Sequence, residues 1–353
     1  MALSRRAFLK LGGLTVVAAG TAGCSVIGRE VAQRELPNSL AVPTAVPGIA
    51  PLTQPGNELP SQPINPVRRL LNRAGYGPTP GEFERVTQLG LAAYLEEQLN
   101  HENVTDTAND LLGRHLTLYQ MDVSQLIEEE PKDGAVELIG STFVRALYSK
   151  RQLYEATVEF WSDHFNIYLR KEKVMPLAKL VDDRDVIRPF ALGNFRDLLG
   201  ASAKSPAMLL YLDNIDNEKS HPNENYAREL LELHTLGVNA GYTQQDVQEV
   251  ARILTGWTVA RRGRKRGMFV FNADAHDFGE KQALGHIFPA GRGEEEVEEL
   301  LDLLANHPAT ANFIATKLVR RFVADLPPAD LVSQVAAAYQ QSNGDIKAML
   351  RVI

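Results

Sequence analysis

The stretch Pro222–Gly237, PNENYARELLELHTLG, carries the pattern that decides the fold. On a helical wheel at 100° per residue, its polar and apolar residues fall on opposite sides. Proline suits the first turn of a helix, and glycine suits the position just past its end. The stretch therefore predicts a capped amphipathic helix. Its charged arc consists of Glu224, Arg228, Glu229 and Glu232.

Two interpretations of this charged arc stay open. In the first, Arg228 forms i,i+4 ion pairs with Glu224 and Glu232 on a solvated face, each worth only a few tenths of a kcal/mol. In the second, the arc lines a cleft and is catalytic: Arg228 orients one carboxylate while another, with a raised pKa, acts as acid or base. Asn223 and Asn225 are poor helix formers, and we take them as candidate binding residues.

A second polar block reads EFWSDHF and spans Glu159–Phe165. Its aromatic side chains are most simply core residues. Asp163 and His164 have the chemistry of a base or a metal ligand, although adjacent helical residues point 100° apart. His234 lies among leucines, and we predict a hydrogen-bonded core histidine there.

A third polar block, NADAHDFGEK, spans Asn272–Lys281 and follows a predicted strand, where site residues often lie. His276 and Asp277 are candidate catalytic residues, and Lys281 and Trp257 are candidate binding residues. The alternative is that Asp and Gly serve here only as turn formers. The spacings typical of HExxH zinc sites, phosphate-binding loops, GxSxG elbows and paired CxxC motifs are absent from the sequence, so cofactor and metal stay unknown.

Helical spacing recurs along most of the chain, which predicts an all-α fold, a multi-helix globular domain with at most one small β-hairpin. That hairpin would pair WTVA (Trp257–Ala260) with MFVF (Met268–Phe271) across the basic run RRGRKRG. The run is either a solvated hairpin tip or a grip for an anionic polymer or lipid headgroup. The predicted helices cover residues 109–128, 135–170, 173–181, 194–200, 223–236, 243–256, 295–305, 309–323, 329–341 and 345–353.

The N-terminal residues predict export. SRRAFLK (Ser4–Lys10) has the pattern of a twin-arginine signal, and the apolar run that follows is too short for a comfortable membrane span. The run ends in TAGC, which resembles a lipobox and predicts lipidation of Cys24, the chain's only cysteine. Residues 1–23 would then be a signal peptide, and the protein would be held at the membrane surface by a lipid anchor.

Residues 24–63 are predicted to form a proline-rich tether that leads to a domain at 64–353. Removing residues 1–23 lowers Lys+Arg from 37 to 34 against 44 Asp+Glu, so the net charge becomes −10. That charge argues against a nucleic-acid partner.

Several blocks of this chain resemble the bacterial DUF1800 family, a domain of unknown function. They are the opening RLLNRAGYG, the EFWSDHF helix, the long block from Pro222 to Val259, AHDFGEKQALG and HPATANFIATKLVRRFV. The resemblance implies an exported protein, often encoded beside an alkaline-phosphatase-like or sulfatase-like partner protein. Ser162 and Asp163 stand where many members have His and Asn. The family usually continues with more helix, so we expect the domain to be C-terminally truncated here.

These observations favour an exported enzyme that acts on an extracellular polymer, such as a polysaccharide, by carboxylate-based hydrolysis or elimination. Because residues on one helix face cannot bracket a bond, the Glu224 arc would need a partner from His276–Asp277 or from Asp163. The rival hypothesis is a non-catalytic surface scaffold or polymer-binding module that works with a neighbouring exported enzyme. A metal-dependent enzyme is the third hypothesis.

Overall fold

The computed structural model describes residues 65–353, and α-helices dominate this part of the chain. The predicted signal peptide, Cys24 and the predicted tether lie outside the described residues. The helices up to residue 190 are α1 Pro66–Arg73, α2 Glu82–Leu89, α3 Leu91–Leu99, α4 Thr107–His115, α5 Val123–Leu126, α6 Pro131–Tyr148, α7 Gln152–His164, α8 Met175–Asp182 and α9 Arg188–Phe190. The later ones are α10 Phe195–Ala203, α11 Pro206–Tyr211, α12 Glu224–Glu229, α13 Gln244–Ile253, α14 Glu295–Ala305, α15 Pro308–Phe322, α16 Ala329–Gln341 and α17 Ile346–Val352.

Two segments continue an α-helix with π-helical hydrogen bonding. Asp183–Ile187 follows α8, and Leu230–Thr235 follows α12. In the second segment the Leu236 amide donates to the Leu231 carbonyl, and the Thr235 hydroxyl donates to the Leu230 carbonyl. π-helical turns are rare and are frequent at functional sites. Short 3₁₀ turns lie at His101–Asn103, Leu118–Gln120, Asn214–Asp216 and Ala273–Ala275.

The all-α prediction is confirmed, and the predicted helices at 295–305 and 329–341 have the observed bounds. The predicted helix at 135–170 is instead divided between α6 and α7. The Gln152 side-chain amide donates to the carbonyls of Ala146 and Ser149 and so satisfies the last carbonyls of α6. Helical periodicity continues across this break, which is why the sequence pattern did not reveal it.

The strands form two separate antiparallel hairpins. β1 (Trp257–Val259) pairs with β2 (Phe269–Phe271), as the sequence predicted, with Thr258 opposite Val270. β3 (Lys281–Ala283) and β4 (His286–Phe288) form a second hairpin, which the prediction of at most one hairpin did not include. Its two-residue turn needs positive φ at both positions, and Leu284 (φ 52°) with Gly285 (φ 76°) provides it. Such turns usually carry Asn-Gly, so Leu-Gly gave little signal.

One large apolar core joins α7, α10, α13, α14 and α15. Both tryptophans of the chain, Trp161 and Trp257, are fully buried in it. Smaller clusters form around Leu118, Leu126, Leu177 and Leu180 and around Leu71, Val86 and Tyr94. Over residues 65–353, none of the helices combines the length and apolar character needed to cross a membrane.

Candidate functional site

The charged arc of α12 forms a network at the protein surface. The Arg228 guanidinium lies 3.0 Å from the Glu224 carboxylate and 3.7 Å from that of Glu232. Gln244, the first residue of α13, donates to Glu224 at 2.7 Å and accepts from Arg228 at 2.9 Å. The three charged side chains are 27–39% exposed. The first interpretation, i,i+4 pairs on a partly solvated face, describes these contacts.

The pKa of one carboxylate in this arc is shifted. Partial burial, followed by the charge of Glu232, raises the pKa of Glu229, and Arg228 opposes that rise. Burial and a hydrogen bond to Glu232 raise the pKa of Tyr242 to about 12. The catalytic roles of the four arc residues stay predictions.

The side chains of the two asparagines beside the arc form hydrogen bonds with the preceding loop. The Asn223 side chain accepts from the Asn225 amide at 2.9 Å and so begins α12. The side-chain Nδ2 of Asn223 donates to the Asp213 carbonyl, and the side-chain Nδ2 of Asn225 donates to the Leu212 carbonyl, both at 3.2 Å. These contacts hold the loop that leads into α12, and the binding role predicted for both residues stays a prediction.

The third polar block is buried. His276 is fully buried, and its Nδ1 lies 2.7 Å from the Thr255 carbonyl. Lys281 and Glu296 are fully buried as well and form an ion pair at 2.7 Å. Trp257 is also fully buried, with its ring 4.8 Å from that of Phe269. Buried groups with these partners hold β1, β3 and α14 together, and they present no open surface to a ligand.

The first and third blocks meet opposite ends of α13. Glu224 and Arg228 contact Gln244, whereas Asp277 forms an ion pair with Arg252 at 2.8 Å. Eight residues of α-helix separate those two contacts, about 12 Å along the axis. Among residues 65–353, no hydrogen bond or ion pair joins the arc to His276 or Asp277. The α12 arc and the His276–Asp277 block, which were predicted to converge, therefore make no direct polar contact with each other.

A cavity of about 510 Å³ opens beside α7, at the second polar block. We call it the α7 cleft. Residues of α7 line it, together with residues of α6 that include Leu138 and Phe143. The polar groups from α7 and the residues just after it are Glu155, Glu159, Ser162, Asp163 and Asn166. The sequence analysis identified Asp163 as a possible base, metal ligand or partner for another block, but it did not include Glu159 or Ser162 among the site residues.

The two outer carboxylates of the cleft have different environments. Glu159 accepts hydrogen bonds from the Tyr76 hydroxyl at 3.1 Å and from the Arg321 guanidinium at 2.9 Å. Asp163 lies one helical turn further on and is exposed. Partial burial of the carboxylate and then the charge of Glu159 raise the pKa of Asp163. The cleft thus holds one carboxylate anchored by two hydrogen bonds beside a second carboxylate whose own pKa is raised above its ordinary value.

A buried ion-pair network forms the inner end of the cleft. Arg188 donates to Glu155 at 3.0 and 3.2 Å and to Asp183 at 2.8 Å. The Tyr119 hydroxyl also donates to Asp183, at 2.6 Å. Asp183 begins the first π-helical segment, which therefore helps to position the charges of this wall. Despite desolvation, which acts the other way, the charge of Arg188 leaves the pKa of Asp183 lowered.

Three large aromatic side chains surround the mouth of the cleft. Tyr76, Phe143 and Tyr168 all line it and are 40%, 44% and 55% exposed. Exposed rings beside hydrogen-bonding groups suit ligands that have both apolar faces and polar edges.

Behind the cleft, His164 is buried and bridges three elements. Its Nε2 lies 3.0 Å from the carbonyl of His234, at the end of the second π-helical segment, and its Nδ1 lies 2.7 Å from Nζ of Lys317 on α15. His234 is buried, as predicted, but its Nδ1 has no hydrogen-bond partner among the described residues. It is the backbone of His234, rather than its ring, that makes the hydrogen bond to α7.

The model of one protein family, described as "Protein of unknown function (DUF1800)", matches residues 69–353, most of the chain. The chain belongs to the DUF1800 family. No curated protein and no solved structure matches it.

For this DUF1800 member, the described residues contain no group of three or more His, Cys, Asp or Glu side chains placed to hold a metal ion. The signal that marks the α7 cleft was present in the sequence. Glu159 and Asp163 are four residues apart, so a helix places them on one face. The pair was not predicted as a site because the aromatic residues between the two carboxylates indicate a helix whose other side faces the core.

Proposed function

We propose that the α7 cleft binds an extracellular polymer, such as a polysaccharide, and cleaves it by carboxylate-based hydrolysis or elimination. The observation that supports this most is the pair Glu159 and Asp163. Both face one cavity, and the pKa of Asp163 is raised. Two carboxyl groups in different environments are a common basis for assigning an acid and a base. The exposed rings at the mouth provide surfaces on which sugar rings stack.

In this proposal Asp163 is the proton donor, because partial burial and the charge of Glu159 raise its pKa and so favour the protonated carboxyl group. Glu159 is held by Tyr76 and Arg321, so its orientation is set before substrate arrives. One turn of helix separates the two residues, which places them on the same side of a bound chain. Elimination with both proton transfers on one side of the sugar suits this arrangement better than hydrolysis that requires groups on opposite sides.

The test is a screen of the full-length protein and of Asp163→Asn against soluble extracellular polysaccharides, with measurement of new reducing ends and of unsaturated products. Loss of general acid catalysis lowers the rate by about 10²- to 10⁴-fold, so we expect a loss of at least a hundredfold. Circular dichroism of the variant checks that it is folded. Cleavage that persists at the wild-type rate in folded Asp163→Asn would contradict the proposal.

The second candidate function is a non-catalytic polymer-binding module that works with a neighbouring exported enzyme, of the alkaline-phosphatase-like or sulfatase-like kind that the family resemblance implies. Both outer carboxylates come from a single helix face, which supports this alternative, since the other carboxylates that line the cleft within residues 65–353, Glu155 and Asp183, both bind Arg188. It predicts that the wild-type protein retains a polysaccharide on an affinity gel without releasing any product.

We also propose that the protein is exported and lipid-anchored, on the strength of SRRAFLK and of Cys24 after TAG. Expression in a host with a functional twin-arginine pathway, followed by fractionation, tests this. We expect the wild-type protein in the membrane fraction and Cys24→Ser in the soluble envelope fraction. Recovery of both from the cytoplasm would contradict export, and identical membrane association would contradict the anchor.

A further inference from the structure

Lys317 is a cation beside α7 that has no carboxylate partner among the described residues. It lies on α15 and is only partly exposed. Within residues 65–353, no carboxylate oxygen lies within 4.0 Å of its Nζ; the polar group in contact is Nδ1 of His164, at 2.7 Å. The Phe313 ring, one turn earlier on α15, flanks the amine at 5.3 Å from its centroid. The amine is thus held in a largely apolar site by a single nitrogen acceptor.

The acceptor is fixed in one form. Because Nε2 of His164 lies against a carbonyl, which can only accept, Nε2 must carry the proton and Nδ1 must offer its lone pair. Burial, and then the charge of Lys317, lower the pKa of His164 well below its usual value, so the ring stays neutral. Lys317 therefore always donates one N–H to Nδ1. When the amine is uncharged, its own lone pair points away from His164.

The neighbouring contact between α7 and α15 is an ion pair, whereas the contact made by Lys317 is not. Arg321, one turn after Lys317, pairs with Glu159, one turn before Asp163. If the two helices run in opposite directions, one turn back along α15 from Arg321 and one turn forward along α7 from Glu159 bring Lys317 and Asp163 side by side. The amine bonds to His164 instead, which leaves Asp163 near it without a direct ion pair.

We propose that Lys317 is a nucleophilic amine that condenses reversibly with a small aldehyde or ketone. The Nζ lone pair attacks the carbonyl carbon, and the carbonyl oxygen takes up a proton as the nitrogen loses one, which gives a carbinolamine. The hydroxyl group then leaves as water with one further proton, and the nitrogen lone pair forms the C=N bond. The products are one protonated imine and one water molecule, and no oxidant or reductant takes part.

The electrostatic environment supports this reactivity. Burial and the charge of Arg320 together lower the pKa of Lys317 to about 8, against the charge of Asp163, which raises it. Desolvation and a neighbouring cation are the features that activate lysine amines for imine formation. At pH 7, a pKa near 8 leaves about a tenth of the amine uncharged, against less than a thousandth for an ordinary lysine.

The experiment traps the imine on the full-length protein with acetaldehyde and sodium cyanoborohydride, and maps alkylated lysines by peptide mass spectrometry. Lys173, which is exposed, is the internal control. At pH 7.5 we expect Lys317 to be alkylated at least tenfold faster than Lys173, with a pH midpoint near 8. A rate no greater than that of Lys173, or a midpoint near 10, would overturn the proposal.

Two variants make the test specific. Lys317→Arg removes the fast-reacting site while it keeps the positive charge, so the remaining lysines should react at unchanged rates. Asp163→Asn removes the negative charge that holds the lysine pKa up, so the midpoint should move to lower pH. That variant should lose polymer cleavage yet keep the fast alkylation, which separates this proposal from the proposed function. An unmoved midpoint in folded Asp163→Asn would contradict the electrostatic basis.

Discussion

At the scale of single residues, buried histidines connect the stability of this protein to pH. His164 and His234 both lie in the core, and burial lowers the pKa of His234 to about 3. The unfolded chain binds a proton at each histidine near pH 6.5, whereas the folded protein resists it. Their contribution to stability is therefore full above pH 6.5 and is lost as the pH falls toward 3.

We expect His234→Phe to remove part of this acid sensitivity. The unfolded-state histidine gains roughly 2 kcal/mol from protonation between pH 7 and pH 5, which destabilises the wild-type fold by that amount. Phenylalanine cannot titrate, and the His234 carbonyl that receives His164 is a backbone group that the variant keeps. Urea unfolding at both pH values measures the difference. Equal losses of stability in the two proteins would contradict this explanation.

Residue chemistry also explains why part of the site was predictable. Asp163 and His164 were recognised in the sequence as possible functional groups because of their side-chain types. The partners that decide their behaviour, Lys317 and the His234 carbonyl, lie 153 and 70 residues away. No local pattern contains that information, since it depends on how α7, α12 and α15 pack.

At the scale of elements, the turn from α13 into β1 depends on one glycine. Gly256 has a φ of +82°, and its amide donates to the Asn217 carbonyl at 3.2 Å. A Cβ atom added there would lie 2.6 Å from the Asn272 carbonyl oxygen, which is backbone and has little freedom to move. The turn therefore requires glycine both for its conformation and for its space.

We expect Gly256→Ala to destabilise the fold by about 3 kcal/mol, the sum of left-handed strain and a backbone clash. Gly241→Ala is the matched control, because Gly241 has a φ of +85° with nothing within 4 Å of an added Cβ. Strain alone should cost that variant about 1 kcal/mol. Thermal or urea unfolding of both compares them. An equal loss in the two variants would show that the clash at Asn272 is absent.

The elements that could be predicted from the sequence are those whose signals lie close together in the chain. The helices with strong periodicity and the β1–β2 hairpin were predicted because their signals lie within a few consecutive residues. The two π-helical segments, Asp183–Ile187 and Leu230–Thr235, were not predicted, because five or six residues are too few to show a side-chain period that differs from that of the preceding α-helix. The second hairpin was missed because its turn places leucine at positive φ.

At the scale of the whole molecule, long-range packing decides which polar block faces a cavity. The block most prominent in the sequence, around Glu224, forms a surface network with Gln244. The block around His276 is enclosed by α14 and the hairpins. The α7 block, in contrast, has carboxylates that line a cavity of about 510 Å³. Sequence patterns identified all three blocks, but the burial that distinguishes them arises from the complete fold.

The most direct test of the proposed site is a comparison of kcat/KM for Asp163→Asn and Glu224→Gln on a polysaccharide that the wild-type protein cleaves. Both changes neutralise one carboxylate with little change in size, so they differ mainly in position. We predict a loss of at least a hundredfold for Asp163→Asn and less than a threefold change for Glu224→Gln. The reverse result would contradict the assignment of the site to the α7 cleft and would place it at the α12 arc.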